Sequence, residues 1–229
     1  MINSIQNSPV SGLIVSSLTA RSATMDSAVA SAAGTTASDS PKMSMLSRQL
    51  SESAKHAALR EDSLTYRQLG ELRKKLTDDF FGEHYFLNKI RYDSEVPNVD
   101  DLELRARAVA ATEYVNGAAL GYKTVKNPFA GLQREQLALI TYDDSGLYTV
   151  NERRAASYRS DQLEQEWCKK VSAMIMDEYS RTGNTKTPKI LAEMLSHYQA
   201  LPRIEQAQFP EGYAAELQGQ IGTDLSSIK

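Results

Sequence analysis

The chain has 229 residues, 41% of them hydrophobic and 24% charged, with a formal net charge of −3. Such a composition belongs to an ordinary globular protein; it excludes a collagen-like repeat, disorder throughout and a membrane protein, and it gives no general pull toward nucleic acid or an anionic membrane. The single cysteine, Cys168, excludes an intramolecular disulfide framework and a zinc site built on several thiolates.

Residues 1–40 differ in kind from the rest. They hold ten Ser, seven Ala and four Thr, and only Arg21, Asp26 and Asp39 are charged. Too few large apolar groups are present to offset a backbone ordering cost of roughly 1–2 kcal/mol per residue, so a disordered leader is expected. A secretory signal is not expected: no Lys or Arg precedes Arg21, and Ser16 and Ser17 interrupt the apolar cluster Leu13–Val15. No stretch approaches the roughly 20 apolar residues of a membrane span, so no membrane insertion is expected. In its Ser-rich, acid-poor composition the leader resembles those of bacterial proteins exported by type III machinery. That resemblance implies a protein held in the cytoplasm before export and then secreted; a tail without any address is the alternative.

From residue 41 onward the pattern is helical. Ser40 and Pro41 have the form of an N-cap with proline at the first helical position. Met45, Leu46 and Leu50 supply an apolar stripe reaching His56 or Leu59. Thr65 to Gln68 has capping-box spacing and opens a helix whose Leu69, Leu72, Leu76 and Phe80 share one face. Gly82 punctuates it before a short helical piece with Tyr85, Phe86 and Ile90. Pro97, Asn98, Asp100 and Asp101 mark a loop and a new N-terminus, and Asn116-Gly117 is expected to stop that helix near Val115. A Gly/Lys/Asn/Pro-rich connection runs to Pro128. A long helix then reaches about Arg181, presenting Leu163, Trp167, Val171, Ile175 and Tyr179, and ends at Gly183-Asn184. Thr187-Pro188 starts another, with Leu191, Met194, Leu195 and Tyr198 on its core side, and Tyr213, Leu217 and Ile221 form a last helix. The longest strand allowed is two or three residues near Leu147–Val150. The expected fold is all-α: a single domain of six to eight helices over 41–229.

One segment, Thr141–Glu152, has chemistry in it. It resembles a degenerate EF-hand loop: Gly146 falls at the sixth position, where the turn needs glycine, and Glu152 at the twelfth, where the cation takes a bidentate carboxylate. Asp143 and Ser145 take the third and fifth positions, and Leu147 would offer its carbonyl at the seventh. Thr141 departs from the pattern at the first position, where aspartate is usual. Two carboxylates are little for calcium, which wants 6–8 oxygens. The competing explanation needs no metal: Thr149 to Glu152 is itself a capping box, and Asp143-Asp144-Ser145-Gly146 is turn composition.

Other constellations carry less. His56, His84 and His197 are far apart and lie in no ligand-pair motif. Cys168 reads as a buried structural thiol. Arg73-Lys74-Lys75 and Arg153-Arg154 read as solvated, mixed-charge helix faces. The eleven tyrosines suit packed rims and interaction surfaces. No nucleophile, base and oxyanion donor are assembled, so catalysis ranks behind other roles.

The blocks Asn127–Leu132, Gln136–Ile140, Tyr142–Arg154 and Leu201–Gln206 are similar to a group of uncharacterised bacterial proteins over roughly residues 41–229. The resemblance implies a bacterial origin and no mechanism. The expected function is protein–protein interaction by an exported effector or secretion accessory, with an unknown protein partner, no cofactor and no nucleic acid. The alternative is a weak Ca2+-binding module on Thr141, Asp143, Ser145, Leu147 and Glu152.

Overall fold

The computed structural model describes residues 44–97, 100–121 and 124–226, and every described residue falls in the unit Met43–Lys229. The expected leader 1–40 and the expected cap at Ser40-Pro41 lie outside the described residues. The fold is all-α, with no strand among the described residues; Leu147–Thr149 is bent, irregular backbone and Val150 already helix.

Helix α1 (Met45–Ser63) is capped by the Ser44 side chain and runs past the expected end at Leu59. Its buried residues are Gln49 and Ser53, while Leu46 and Leu50 pack half-buried against the core. Helix α2 (Tyr66–Asp78) opens on the expected capping box, Thr65 with Gln68, and buries Leu69 and Leu76. Gly82, at φ +73°, then starts α3 (Gly82–Leu87), and Asn88 breaks the chain before α4 (Lys89–Asp93). Tyr85 and Tyr92 stack at 5.6 Å within the core, whereas Phe86 and Ile90 point to solvent.

Helix α5 (Leu102–Ala119) is capped by Asp101, whose carboxylate accepts from the N–H groups of Glu103 and Leu104. It runs through the expected stop at Asn116-Gly117. Gly117 is buried against the bundle, and the Asn116 amide is held by Lys89 and Asp93 of α4. The positive φ falls later, at Gly121 (+77°). Tertiary packing thus overrides a local stop signal.

Helix α6 (Arg134–Thr141) and α7 (Val150–Thr182) flank the EF-hand-like segment. Gly183, at φ +71°, ends α7 as expected. Of its expected core face Val171 is buried, but Tyr179 is exposed. Cys168 is exposed as well, in correction of the buried thiol expected, because it lies off the packed face of the helix. Helices α8 (Pro188–Ala200), α9 (Arg203–Gln206) and α10 (Tyr213–Ser226) complete the fold. Tyr198 meets Phe209 and Tyr213 edge-on at 5.3 and 5.2 Å, and Leu217 is buried.

The main core joins Phe80, Tyr85, Tyr92, Tyr114, Phe129, Leu137, Ile140 and Tyr148 to Ala155 and Ala156 of α7. A smaller cluster holds Leu76, Ala138, Tyr142 and Ile204. No described helix is long and apolar enough to cross a membrane.

The approach of α2 to the end of α9 is set by Gly70. A Cβ built there would lie 2.8 Å from the Ala207 carbonyl oxygen. Alanine in mid-helix normally gains about 1 kcal/mol over glycine. Gly70→Ala is expected instead to destabilise by about 1–3 kcal/mol, the range for overpacking, measured by urea unfolding followed through Trp167.

Candidate functional site

Two adjoining features concentrate the polar chemistry: the corner from Thr141 to Arg154 and a cavity beside it. The corner is built from the inside outward. Asp143 Oδ2 accepts from the N–H groups of Gly146 (3.1 Å) and Leu147 (3.2 Å), and Oδ1 accepts from the hydroxyls of Ser145 (2.8 Å) and Ser53 (3.3 Å). Gly146, at φ +81°, supplies the left-handed residue that closes the turn. The Leu147 carbonyl accepts from Gln49 Nε2 at 2.8 Å, and Arg60 donates to the Tyr142 carbonyl at 2.7 Å and to Asp144 at 3.3 Å. Gln49, Ser53 and Arg60 therefore form one polar face of α1 laid along the corner.

Glu152 is engaged through both carboxylate oxygens. Oε2 accepts from the Thr149 N–H (2.8 Å) and hydroxyl (3.0 Å), the predicted capping box. Oε1 accepts from Arg107 Nε at 2.6 Å, with both side chains buried; Arg107 Nη2 also reaches Gln49 Oε1 at 2.6 Å. Arg107 lies 5.5 Å from the Tyr148 ring and 5.9 Å from that of Phe129. Its fixed charge balances the carboxylate at the position where the EF-hand pattern would place a cation. Among the described residues no group of three or more His, Cys, Asp or Glu is placed to hold a metal ion. Of the predicted ligands, Asp143, Ser145, Leu147 and Glu152 all hold internal hydrogen bonds, whereas the buried Thr141 hydroxyl has no partner among the described residues. Calcium would have to exchange these bonds for its own.

Arg153 and Arg154 are not a solvated face. Both are buried, and each finds a different partner set. Arg153 donates to the carbonyls of Leu76 (2.9 Å) and Thr141 (3.2 Å), and burial lowers its pKa from the ordinary value. Arg154 lies 3.7 Å from the Tyr85 ring centroid and donates to the Tyr158 hydroxyl at 2.8 Å. Asn151 completes the turn: it accepts from the Tyr85 hydroxyl at 2.7 Å and donates to Asp93 and Thr112 at 3.1 Å each.

The cavity, of about 450 Å3, lies between α2, α6 and α7 and the exit of α9. Its walls carry Arg73 and Arg134, Asp161, Glu164 and Glu205, the hydroxyls of Thr141, Ser157 and Ser160, and the rings of Phe81 and Phe209. Arg134 pairs with Glu205 at 2.8 Å and with Glu164. The Tyr142 hydroxyl donates to Glu205 at 3.3 Å, and burial raises its pKa. His197 Nε2 lies 3.1 Å from Glu164, and its ring stacks at 3.6 Å on Trp167. Burial outweighs the neighbouring carboxylate and pushes the His197 pKa below its usual value. His56 and His84 are exposed.

Arg107, Gln49 and Arg134 are site residues that sequence reasoning passed over, and Arg73, expected on a solvated face, is half-buried on the cavity wall while Lys74 and Lys75 are exposed. A signal existed for Arg107: it shares a helical face with Leu104, Ala108 and Ala111, all buried. In comparisons with known proteins, the chain matches no family, no curated protein and no solved structure.

Two measurements check this account. Removing one partner of a buried ion pair strands the other, at about 3–5 kcal/mol. Glu152→Ala is therefore expected to destabilise by that amount in urea unfolding, while millimolar calcium leaves the wild-type melting temperature unchanged. A calcium-dependent rise that Glu152→Gln abolishes would instead establish a cation site. For His197, the unfolded chain binds a proton near pH 6.5 and the folded chain only at lower pH. Its contribution is complete above that value and declines as pH falls through the folded pKa. The urea midpoint should drop from pH 7 to pH 5, with a smaller drop in His197→Gln.

Proposed function

We propose that the chain acts through protein–protein contact, using the face made by α4, its exit and α5. The observation that supports this reading is a row of large apolar side chains left in solvent. Ile90 is 88% exposed and Leu102 85%, with Phe86, Leu87, Val96, Val109 and Leu120 also exposed. Single exposed apolar residues are ordinary, but an aligned set is not. Leu102 and Val109, seven residues apart, lie on one stripe of α5, and exposed Leu120, the cap that ends it, follows eleven residues on. Val96 and Val109 line the same shallow groove, and Lys89 and Asp93 of α4 hydrogen-bond to Asn116 of α5, which sets the two helices side by side. A partner with an apolar face would gain roughly 25 cal/mol for each Å2 of this surface taken from water.

The composition of residues 1–40 supports the further reading that the leader is an export address for this module, as in an effector or secretion accessory. A reporter fused to residues 1–40 leaves the cell through a working type III apparatus on this reading, and its retention with and without that apparatus overturns it.

For the contact face, a photo-crosslinking side chain is placed at Ile90, at Val109 or, as control, at the exposed Lys55 of α1. Discrete adducts from the first two sites and none from the third are expected in cells. The same adducts from all three, or none, would remove the case for this surface.

A further inference from the structure

The cavity beside the corner presents two opposite charges that the protein leaves apart. Its other ionised groups are mutually satisfied: Arg134 holds Glu164 and Glu205, and Glu164 also meets His197. Arg73 and Asp161 line the same cavity, and neither takes part in an ion pair among the described residues. Arg73 is half-buried on α2 beside the Tyr142 hydroxyl, with its Nε buried and unpartnered. Asp161, on α7, lines the cavity and is exposed. Two further wall groups, the hydroxyls of Thr141 and Ser160, are more than nine-tenths buried and have no hydrogen-bond partner among the described residues. Leaving such groups unsatisfied is costly, so a site this rich in them favours an occupant that satisfies them.

We propose that this cavity binds a small zwitterionic amino acid, its carboxylate on Arg73 and its ammonium on Asp161. A guanidinium matches a carboxylate in planar, two-point geometry, and a rim carboxylate takes an ammonium as a point charge. The Ser160 and Thr141 hydroxyls, turned about χ1, donate to the carboxylate. Phe81 and Phe209 provide apolar walls for the ligand's side chain. The volume of about 450 Å3 lies within the roughly 300–1,000 Å3 of small-molecule sites. A purely anionic ligand would leave Asp161 unmatched and face the carboxylates of Glu164 and Glu205. A purely cationic one would leave Arg73 without a partner. This site is separate from the α4–α5 face and does not depend on the contact reading.

The test is calorimetric titration of the full chain with the twenty amino acids and with 4-aminobutanoate. Each ligand that binds is then compared with its two half-molecules, the amine lacking the carboxylate and the acid lacking the ammonium. At least one zwitterion is expected to bind and to raise the melting temperature, with each half-molecule about tenfold weaker or worse. Arg73→Gln and Asp161→Asn should each weaken binding by about tenfold. Asp161 is exposed, so Asp161→Asn keeps the fold and decides the matter if Arg73→Gln does not fold. The proposal is overturned if no zwitterion binds, if either half-molecule binds as tightly as the whole, or if Asp161→Asn binds as the wild type does.

Discussion

The first turn of α7 is polar and buried, and the rest of the bundle is arranged to make that tolerable. Asn151, Glu152, Arg153 and Arg154 are consecutive and buried. An isolated ion in a protein interior is prohibitively unfavourable, so each of these residues needs partners that other elements bring. Arg107 of α5 comes for Glu152, the Leu76 carbonyl of α2 for Arg153, the Tyr85 ring of α3 for Arg154, and Thr112 and Asp93 for Asn151. One helical turn therefore specifies the positions of four other helices. Ala155 and Ala156 follow at once, fully buried, and let neighbouring elements come close where no long side chain could fit. Apolar packing supplies most of the driving force in any such bundle. Directional contacts of this kind, which fail if a helix slides by one residue, are suited to choosing a single arrangement from many that would bury similar area.

The corner before that turn explains why the sequence there imitates a metal loop. A cation-binding loop and a tight connection between two helices both need carboxylate oxygens pointing inward round a glycine. In this chain the positive partners are N–H groups and guanidinium groups. Asp143 gathers two backbone N–H donors and two hydroxyls, and Glu152 gathers a backbone N–H, a hydroxyl and Arg107. The resulting geometry is anchored by α1, which buries the polar Gln49 and Ser53 along the corner beside the half-buried Leu46 and Leu50. A helix that docks on exposed carbonyls and carboxylates must present donors, and α1 does.

What was legible in the sequence was local. The capping boxes at Thr65 and Thr149, the Asp101 cap, proline at the first turn of α8 and the left-handed Gly183 all form within a few residues and stand where the sequence places them. What was not legible depends on partners far along the chain. Asn116-Gly117 carries a stop signal, yet Asn116 is recruited by Lys89 and Asp93, and the helix continues. Arg153-Arg154 has the composition of a solvated face, but aromatic rings and free carbonyls from α2 and α3 enclose it. Along α7 the packed face is not the simple apolar period: Val171 and Glu178 are buried, whereas Tyr179, which continues the period, and Cys168, which lies off it, are exposed. The corner residues were named in advance; the cavity was not, because its walls come from four elements.

The cavity owes its charge pattern to the same economy. Arg134 of α6 is the cation around which Glu164 of α7 and Glu205 of α9 close, and Glu164 carries on to His197 of α8, itself stacked on Trp167. That chain ties α7, α8 and α9 to α6, beside the apolar contacts that Leu137, Ala138 and Ile140 of α6 make with α7 and α9. Because one guanidinium is shared by two carboxylates, the cluster retains a negative charge unless His197 is protonated, and burial holds His197 neutral. Arg73, beside the Tyr142 hydroxyl, and Asp161 stand on the same cavity wall outside any ion pair among the described residues, which leaves that surface open to charges that are not part of the chain.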